Sequence, residues 1–475
     1  MTKESLKIIS QKPQRVDSSA DFQGNVALVT LGCAKNQVDS EVMLGELVRS
    51  GFRVVQDVKS ADVAIVNTCG FLESSINESI DCVLDIAKLK DKGRLRRLIV
   101  AGCMVERFKG DIREALPEVD SFVGLDDILK ISNAAGGGEV RDLFNQAARP
   151  YFLYDESMPR VLSTQRHTAY VKISEGCNRP CTFCIIPKIR GSMRSRTQAS
   201  VVNEVKTLGQ NGVLEVNLVA QDLTSYGKDA RNEDLAGLLR AIDQSRAVSW
   251  VRLLYAYPIG TTENLLKTII ELPTVCNYFD IPLQHSSERI LKLMQRPVGR
   301  YAARKIVEFI RETAPQIKLR TTFIVGFPGE SEEDIRDLEN FVKEGHFSSL
   351  GVFTYSREEG TPSYDLPDQV QESEKKERRE RIMLAQQDAI RDNMRSYIGK
   401  TIPVLLEGQH EETDLLLRGR SEFQAPEVDG IVIVNDIKGA QEDRLESQEL
   451  CGKILPVQIT EVKGYDLVGT LYVNA

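Results

Sequence analysis

The run Glu175-Gly-Cys-Asn-Arg-Pro-Cys-Thr-Phe-Cys184 places three thiols, those of Cys177, Cys181 and Cys184, in one short loop with C-x-x-x-C-x-x-C spacing. It is one ligand short of a closed metal site. Structural zinc sites close with four Cys or His ligands, usually supplied as two pairs, and the nearest further candidate is His167. Three thiolates instead suit a cubane 4Fe-4S cluster whose fourth iron stays open to a substrate or cofactor. A zinc knuckle and a redox thiol group are the competing readings of so short a motif.

Working outward, the trio follows a strand-like run at 170–173, and further strand candidates come at 214–219, 250–254, 278–281, 319–325 and 351–355 with helix-like segments between them. Six βα units predict an incomplete (β/α)6 barrel over 163–393, in which the loops after the strands carry the chemistry. Gln221 and Asp222 follow the second strand, Gln284 and His285 the fourth, and Gly326-Phe-Pro-Gly-Glu330 the fifth, so all converge on the face that holds the trio. Each also has a plainer account. Gly326 and Gly329 turn the chain into a helix beginning near Ser331, with Glu330 at its N-terminus, and Gln284 with His285 makes a satisfied polar pair.

Upstream, 24–138 alternates apolar strand-like runs with helix-like segments, which predicts an open parallel α/β sheet. Strand candidates at 26–31, 63–67 and 98–101 are each followed within two residues by Cys33, Cys69 or Cys103, a second trio with 35 and 33 residues between its members. Ligands collect outside the carboxyl ends of such strands, so the fold can bring three distant cysteines to one edge. The competing account makes each a small buried hydrophobe. Repetition of the same placement three times argues against it. Cys82, Cys276 and Cys451 lie outside any ligand spacing and are read as structural.

At 475 residues, 41% hydrophobic and 27% charged, the composition is that of a soluble globular chain of two or three domains. Breaks at Ala134-Ala-Gly-Gly-Gly138 and after the charged segment 372–395, read as a long solvated helix, divide it. The parts are a disordered tail (1–23), the sheet domain (24–138), a linker (139–162), the barrel (163–393) and a last domain (396–475). No run approaches the ~20 apolar residues of a membrane span. Nine cysteines and no secretory leader fit the reducing cytoplasm better than a disulfide framework.

The last domain reads as five short strands of a small antiparallel β barrel. From 397 to 475 it holds seven Lys and Arg against fourteen Asp and Glu, a balance of −7 in a chain whose total is −8. Such a surface lacks the cations that track phosphates. It steers basic partners instead, ribosomal proteins among them, with plain solubility as the competing account.

The spacing of the Cys177 trio resembles that of radical S-adenosylmethionine (SAM) enzymes. With Leu31-Gly-Cys-Ala-Lys-Asn-Gln-Val-Asp-Ser-Glu41, Asn67-Thr-Cys-Gly-Phe71, Ala101-Gly-Cys103 and the acidic barrel, the chain from about 24 onward is similar to the methylthiotransferases. The resemblance implies an N-terminal cluster domain, a radical SAM core and a C-terminal TRAM domain. The Leu-Gly-Cys-Ala-Lys-Asn run, Ile281-Pro-Leu-Gln-His-Ser286 and Gly419-Arg-Ser-Glu-Phe-Gln-Ala-Pro-Glu-Val-Asp-Gly430 are similar to the RimO branch, which modifies an aspartate of the twelfth small-subunit ribosomal protein. The MiaB branch modifies an adenosine in tRNA.

By this resemblance, Cys177, Cys181 and Cys184 would hold a 4Fe-4S cluster that binds SAM and cleaves it reductively. The resulting radical would take hydrogen from the β carbon of aspartate, which no protein acid or base deprotonates usefully. Cys33, Cys69 and Cys103 would hold a second 4Fe-4S cluster carrying a sulfur methylated by another SAM. Phe183, Gln221, Asp222, Gln284 and Gly326 would line the SAM pocket, Phe183 against adenine or as a cover for the cluster. The implied partners are the basic ribosomal protein, free or within the small subunit, and an electron donor; neither tRNA nor a membrane is expected. The alternatives are the tRNA enzyme and a non-catalytic iron-sulfur scaffold or electron carrier, which would gain nothing from an unligated iron.

Overall fold

Buried runs such as Val-Ala-Ile-Val and Leu-Ile-Val-Ala, apolar at every position, call for strands covered on both faces. The computed structural model, which describes residues 7–8, 21–93, 95–138, 152–229, 233–439 and 447–473, places them inside a six-stranded sheet. Its strands are β1 (Lys7–Ile8), β2 (Gly24–Thr30), β3 (Phe52–Val54), β4 (Val63–Thr68), β5 (Arg97–Gly102) and β6 (Ser121–Val123), in the order β1-β2-β4-β5-β6 with β3 also on β2. All pairings are parallel except that of β1, whose Lys7 and Ile8 lie opposite Thr30 and Val29. Apart from these two residues and 21–23, the tail expected at 1–23 lies outside the described residues. The three expected strands are β2, β4 and β5, whereas β3 and β6, at three residues each, are too short to show a period.

The helices are α1 (Ala34–Arg49), α2 (Glu73–Asp91), α3 (Cys103–Phe108), α4 (Gly110–Ala115) and α5 (Ile131–Gly136). α1 is buried on its polar side as well: Lys35, Asn36, Asp39, Ser40, Glu41 and Glu46 are all enclosed. It lies between the sheet and the next domain. The described part of the expected linker, 152–162, is not slack. Arg160 donates to Glu41 at 2.8 Å and to Glu204, and the Pro159 backbone sits where a Cβ on Gly45 would be 2.4 Å away.

The central domain begins with β7 (Thr168–Lys172) and a small hairpin, β8 (Ser174–Glu175) with β9 (Arg194–Ser195), between whose strands hang the cysteine loop and α6 (Ile186–Ile189). Then follow α7 (Gln198–Gln210), β10 (Glu215–Val219), α8 (Leu235–Ser245), β11 (Trp250–Leu254), α9 (Glu263–Glu271), β12 (Val275–Asp280), α10 (Glu288–Leu293), α11 (Ala303–Thr313), β13 (Lys318–Val325), α12 (Glu332–Lys343), β14 (Phe347–Thr354) and α13 (Glu372–Arg395). Six parallel strands pair in sequence order from β7 through β10 to β14, and the two ends stay apart, so the barrel is open. Alternation decides the faces. Ala169, Val171, Val216, Leu218, Val251 and Leu253 pack under the helices, while Tyr170, Trp250, Leu254 and Tyr278 turn toward the other two domains.

α13 differs from the solvated connector expected of so charged a segment. Lys375, Arg378, Ile382, Ala385, Gln386 and Ile390 are buried against α12 and β14, because the long stems of Lys375 and Arg378 cover apolar surface while their heads find acceptors.

The last domain is a closed barrel of β15 (Thr401–His410), β16 (Thr413–Ser421), β17 (Val432–Gly439), β18 (Ile454–Lys463) and β19 (Asp466–Val473), ordered β15-β16-β17-β19-β18, with α14 (Ser447–Leu450) before β18. Four pairings are antiparallel and one, β17 with β19, is parallel. The segment after β16 fills the exposed face of the core sheet: the Glu422 carbonyl accepts from Arg252, Asp429 accepts the Tyr278 hydroxyl at 2.7 Å, and Ala425 is wholly buried. Glu215 is clamped between Arg252 of the core, at 2.9 Å, and Arg420 of the barrel. No helix among the described residues is long and apolar enough to cross a membrane.

Candidate active site

The first cysteine trio meets at the carboxyl edge of the N-terminal sheet. Cys33 caps α1, Cys69 follows β4, and Cys103 opens α3 directly after β5. In-register pairing of Thr30 with Asn67 and of Asn67 with Ala101 brings the three strand ends level. A Cβ on Gly32 would lie 3.3 Å from the Cys69 sulfur, and one on Gly70 would lie 2.7 Å from the Cys103 carbonyl. Side-chain amides lock the three turns together: Asn36 donates to the Leu31 and Thr68 carbonyls at 2.9 and 3.0 Å, and Asn67 donates to the Asn36 carbonyl and Ser40 Oγ, both at 2.8 Å.

The environment grades these thiols. Cys33 is exposed, Cys69 is half-buried and Cys103 is buried. Burial pushes the Cys103 thiol up to about 12, although Arg190 opposes it. Burial also raises Cys69. Cys33 goes the other way: burial is outweighed by the charges of Lys35 and Arg190 and by the backbone N–H groups of Asn36 and Lys35, so its pKa falls.

The second trio lies on the loop after β8. Gly176, at φ +79°, lets the loop pass the Ser192 carbonyl, which a Cβ would meet at 2.3 Å. The loop is pinned by Thr182, whose backbone N–H and hydroxyl donate to the carbonyls of Met294 and Leu293. The Arg179 backbone N–H donates to Cys177 at 3.4 Å and the Arg296 guanidinium to Cys181 at 3.7 Å. All three thiols are partly exposed, and burial pushes Cys184 up to about 12.

A buried ion network joins the two trios. Arg190, 2% exposed, donates to the Cys103 sulfur at 3.2 Å, to Asn36 Oδ1 at 2.6 Å, to Asp39 at 3.1 Å and to both Glu175 oxygens at 3.0 Å. Lys172 completes it, donating to Asp39 and, at 2.6 Å, to Glu175. Burial alone would raise Glu175, but Arg190 and Lys172 hold it far below the usual carboxylate range. Only Gly176 separates Glu175 from Cys177, so this network carries the first trio's surroundings directly into the second trio's loop.

The chemistry of these donors fits clusters. Each site offers three thiols and an arginine that donates to sulfur, and no three Cys, His, Asp or Glu among the described residues converge tightly enough for a single metal ion.

The other sequence candidates do gather at the carboxyl ends of the core strands, with different employments. Gln221 donates to Glu175 at 2.7 Å and leaves its own Oε1 buried without a partner among the described residues. Asp222 is saturated by Arg179 at 2.7 Å, Thr224 at 2.7 Å and Ser225 at 2.6 Å, and so positions the cysteine loop. Phe183 packs against Ile290, Met294, Phe327 and Tyr355. Gln284 adopts φ +74°, with its backbone bridged to Thr322 and Ile324. Gly326, at φ +73°, has the Lys375 stem where its Cβ would be, at 2.3 Å, so packing already requires glycine there.

Glu330 corrects the expectation that it serves a helix N-terminus. Ser331 and Asp334 form the capping box of α12, while Glu330 turns inward to accept from Gly326 and Arg378, both at 2.7 Å, with fully buried His285 at 3.3 Å. Of the spare cysteines, Cys82 and Cys276 are buried in α2 and β12; Cys451 is exposed and donates to the Glu407 carbonyl at 3.3 Å.

Sequence reading passed over Lys35, Arg190, Tyr255 and Arg296. Lys35 stood inside a quoted motif and Arg190 lies six residues beyond Cys184, but nothing local says that either points toward a cysteine. Tyr255 follows β11 at φ +72°, an uncommon backbone for a tyrosine.

Family models match the three domains in turn: the uncharacterized protein family UPF0004 over 25–124, the radical SAM superfamily over 171–342 and the TRAM domain over 398–471. Among solved structures, the radical SAM methyltransferase TsrM from Kitasatospora setae, with cobalamin and a 4Fe-4S cluster bound, has a TM-score of 0.52 at 16% identity, covering 71% of this chain and 76% of that one; the likeness is one of fold. Proteins named ribosomal protein uS12 methylthiotransferase RimO are much nearer. That of Syntrophotalea carbinolica is 45% identical, with 96% of this chain and 98% of the relative covered. That of Geotalea uraniireducens is 44% identical over 95% and 99%, and that of Bdellovibrio bacteriovorus 42% over 94% and 98%. At such identity over nearly the whole of both chains, the protein belongs to the ribosomal protein uS12 methylthiotransferase family.

Proposed function

We propose that this chain methylthiolates ribosomal protein uS12 at the β carbon of an aspartate. The observation that supports this most is the pair of cysteine trios joined through Arg190 and Glu175. Family membership brings SAM and a 4Fe-4S cluster, for which Cys177, Cys181 and Cys184 are the proposed ligands. Cys33, Cys69 and Cys103 are proposed to hold a second cluster. When bound, these groups would supply one-electron chemistry able to remove hydrogen from an unactivated carbon, and the sulfur that replaces it.

The chain's own residues do the rest. Arg179 and Arg296 donate to the sulfurs of the second trio, and Asp222 fixes Arg179. Gln221, whose Oε1 has no partner among the described residues, and Gln284 are the proposed contacts for SAM; Phe183 and Gly326 shape the wall behind them. The acidic last domain supports a basic protein substrate over tRNA. An electron donor completes the proposed partners, and the absence of a crossing helix among the described residues is compatible with a cytoplasmic setting.

The test is anaerobic reconstitution with iron, sulfide, SAM and a reductant, offering uS12 and tRNA in parallel and reading both by mass spectrometry. A methylthio increment on a uS12 aspartate is expected. An increment on tRNA adenosine alone would assign the MiaB type of activity instead, and iron binding without SAM consumption would leave an iron-sulfur scaffold.

A further inference from the structure

Lys35 is 9% exposed, and among the described residues nothing accepts a hydrogen bond from its ammonium group or pairs with it. Lysine is seldom buried with so little compensation, because the charge loses its hydration and here gains only the face of an aromatic ring and the nearby Cys33 sulfur. Its ammonium lies 3.5 Å from the centre of the Tyr255 ring, at the mouth of the core barrel. It stands on the first turn of α1, where the helix end is itself positive and no acidic residue occurs. Arg190 adds a further positive charge nearby.

Each negative group that faces Lys35 is already engaged. The Cys33 sulfur is a proposed cluster ligand. Glu175 accepts from Arg190, Lys172 and Gln221. Asp280 accepts from Arg320 and from the Tyr255 backbone N–H, both at 3.0 Å. Beside the ammonium, the Tyr255 hydroxyl is also without a hydrogen bond among the described residues, and the side chain is only half-buried. Its φ of +72° is a strain kept at the carboxyl end of β11, where it holds the ring under Lys35.

We propose that Lys35 and Tyr255 form the recognition site for the carboxylate of the residue that is modified, the ammonium pairing with it and the tyrosine hydroxyl donating to its second oxygen. The inference rests on the functional reading above and deepens it. Lys35 stands two positions after Cys33 and Tyr255 stands at the carboxyl end of β11, so an anionic side chain held there lies beside the first trio at the barrel face that carries the second. Lys35 and Tyr255 are thus specificity-determining residues.

The experiment measures binding of two uS12 peptides, one with the target aspartate and one with asparagine there, to full-length reconstituted protein. Wild type is expected to bind the aspartate peptide about tenfold or more tightly than the asparagine peptide. Lys35→Gln is expected to bind both alike with the iron of both clusters retained, and Lys35→Arg to restore most of the preference. Persistence of the preference in Lys35→Gln overturns the proposal. So does loss of iron from the Cys33 trio in Lys35→Gln and its return in Lys35→Arg, which would show that the ammonium serves the cluster. A methylthio product from wild type with no aspartate preference overturns this proposal alone, whereas failure of wild type to bind either peptide overturns the functional reading as well.

Discussion

The Arg190 guanidinium donates to the Cys103 sulfur at 3.2 Å and, on its other arm, to both oxygens of Glu175. One side chain thus touches a cysteine of the first trio and the residue that leads into the loop of the second. Removing it would leave Glu175 and Asp39 buried with one cation fewer. Arg190→Ala is expected to destabilise the protein by about 3–5 kcal/mol. Arg190→Lys, which keeps the charge but not the fork, should fall between it and wild type, both read by denaturant unfolding and by iron bound per chain.

Cys33 is the open member of its trio, and its loss should separate the two halves of the chemistry. Cys33→Ala is expected to keep the iron of the second trio and its SAM cleavage while making no methylthio product. Unchanged product formation, read by mass spectrometry beside iron analysis, would remove Cys33 from the ligand set.

Cys82, Cys276 and Cys451 predict the opposite outcome. Two are buried in an α-helix and a strand, and the third is bonded to a carbonyl. Each changed singly to Ala should leave iron content and the visible absorption of the reconstituted protein unaltered. Loss of either cluster would show that a ligand had been misassigned.

Glu215 makes the junction between core and barrel sensitive to acid. Burial would raise its pKa, but Arg420 and Arg252 pull it down to about 2. A carboxylate depressed on folding contributes stability above its unfolded pKa and loses it as pH falls through the folded value. The contribution, about 3 kcal/mol, should therefore disappear between about pH 4.5 and pH 2. Unfolding midpoints over that window should fall more steeply for wild type than for Glu215→Gln.

Gly326 faces two obstacles to any side chain, its φ of +73° and the Lys375 stem. Gly326→Ala is expected to cost at least about 2 kcal/mol in wild type. The same change in a Lys375→Ala background should cost less, because the clash is gone and only the backbone strain remains. Equal costs in the two backgrounds, measured as a double-mutant cycle, would mean that Lys375 moves aside freely.

Expression of these features in the chain itself was uneven. The strand before each cysteine was visible because strands buried on both faces are apolar throughout, and the position of a cysteine after such a run survives any detail of packing. The short β3 and β6 strands escaped because three residues carry no period, and the parallel partnership of β17 with β19 escaped because pairing direction leaves no local mark.

By itself, the sequence determined the three-part order, both cysteine trios, the six core strands and the acidic balance of the last domain, since spacing, periodicity and charge are properties of neighbours along the chain. Only the tertiary structure decided what surrounds the trios. Arg190 meets Cys103 from 87 positions away, Lys35 meets Tyr255 across two domains, and Glu330 turns inward to Arg378. Burial and counter-charge depend on which distant side chains share a site, and that is settled only when the sheets close against one another.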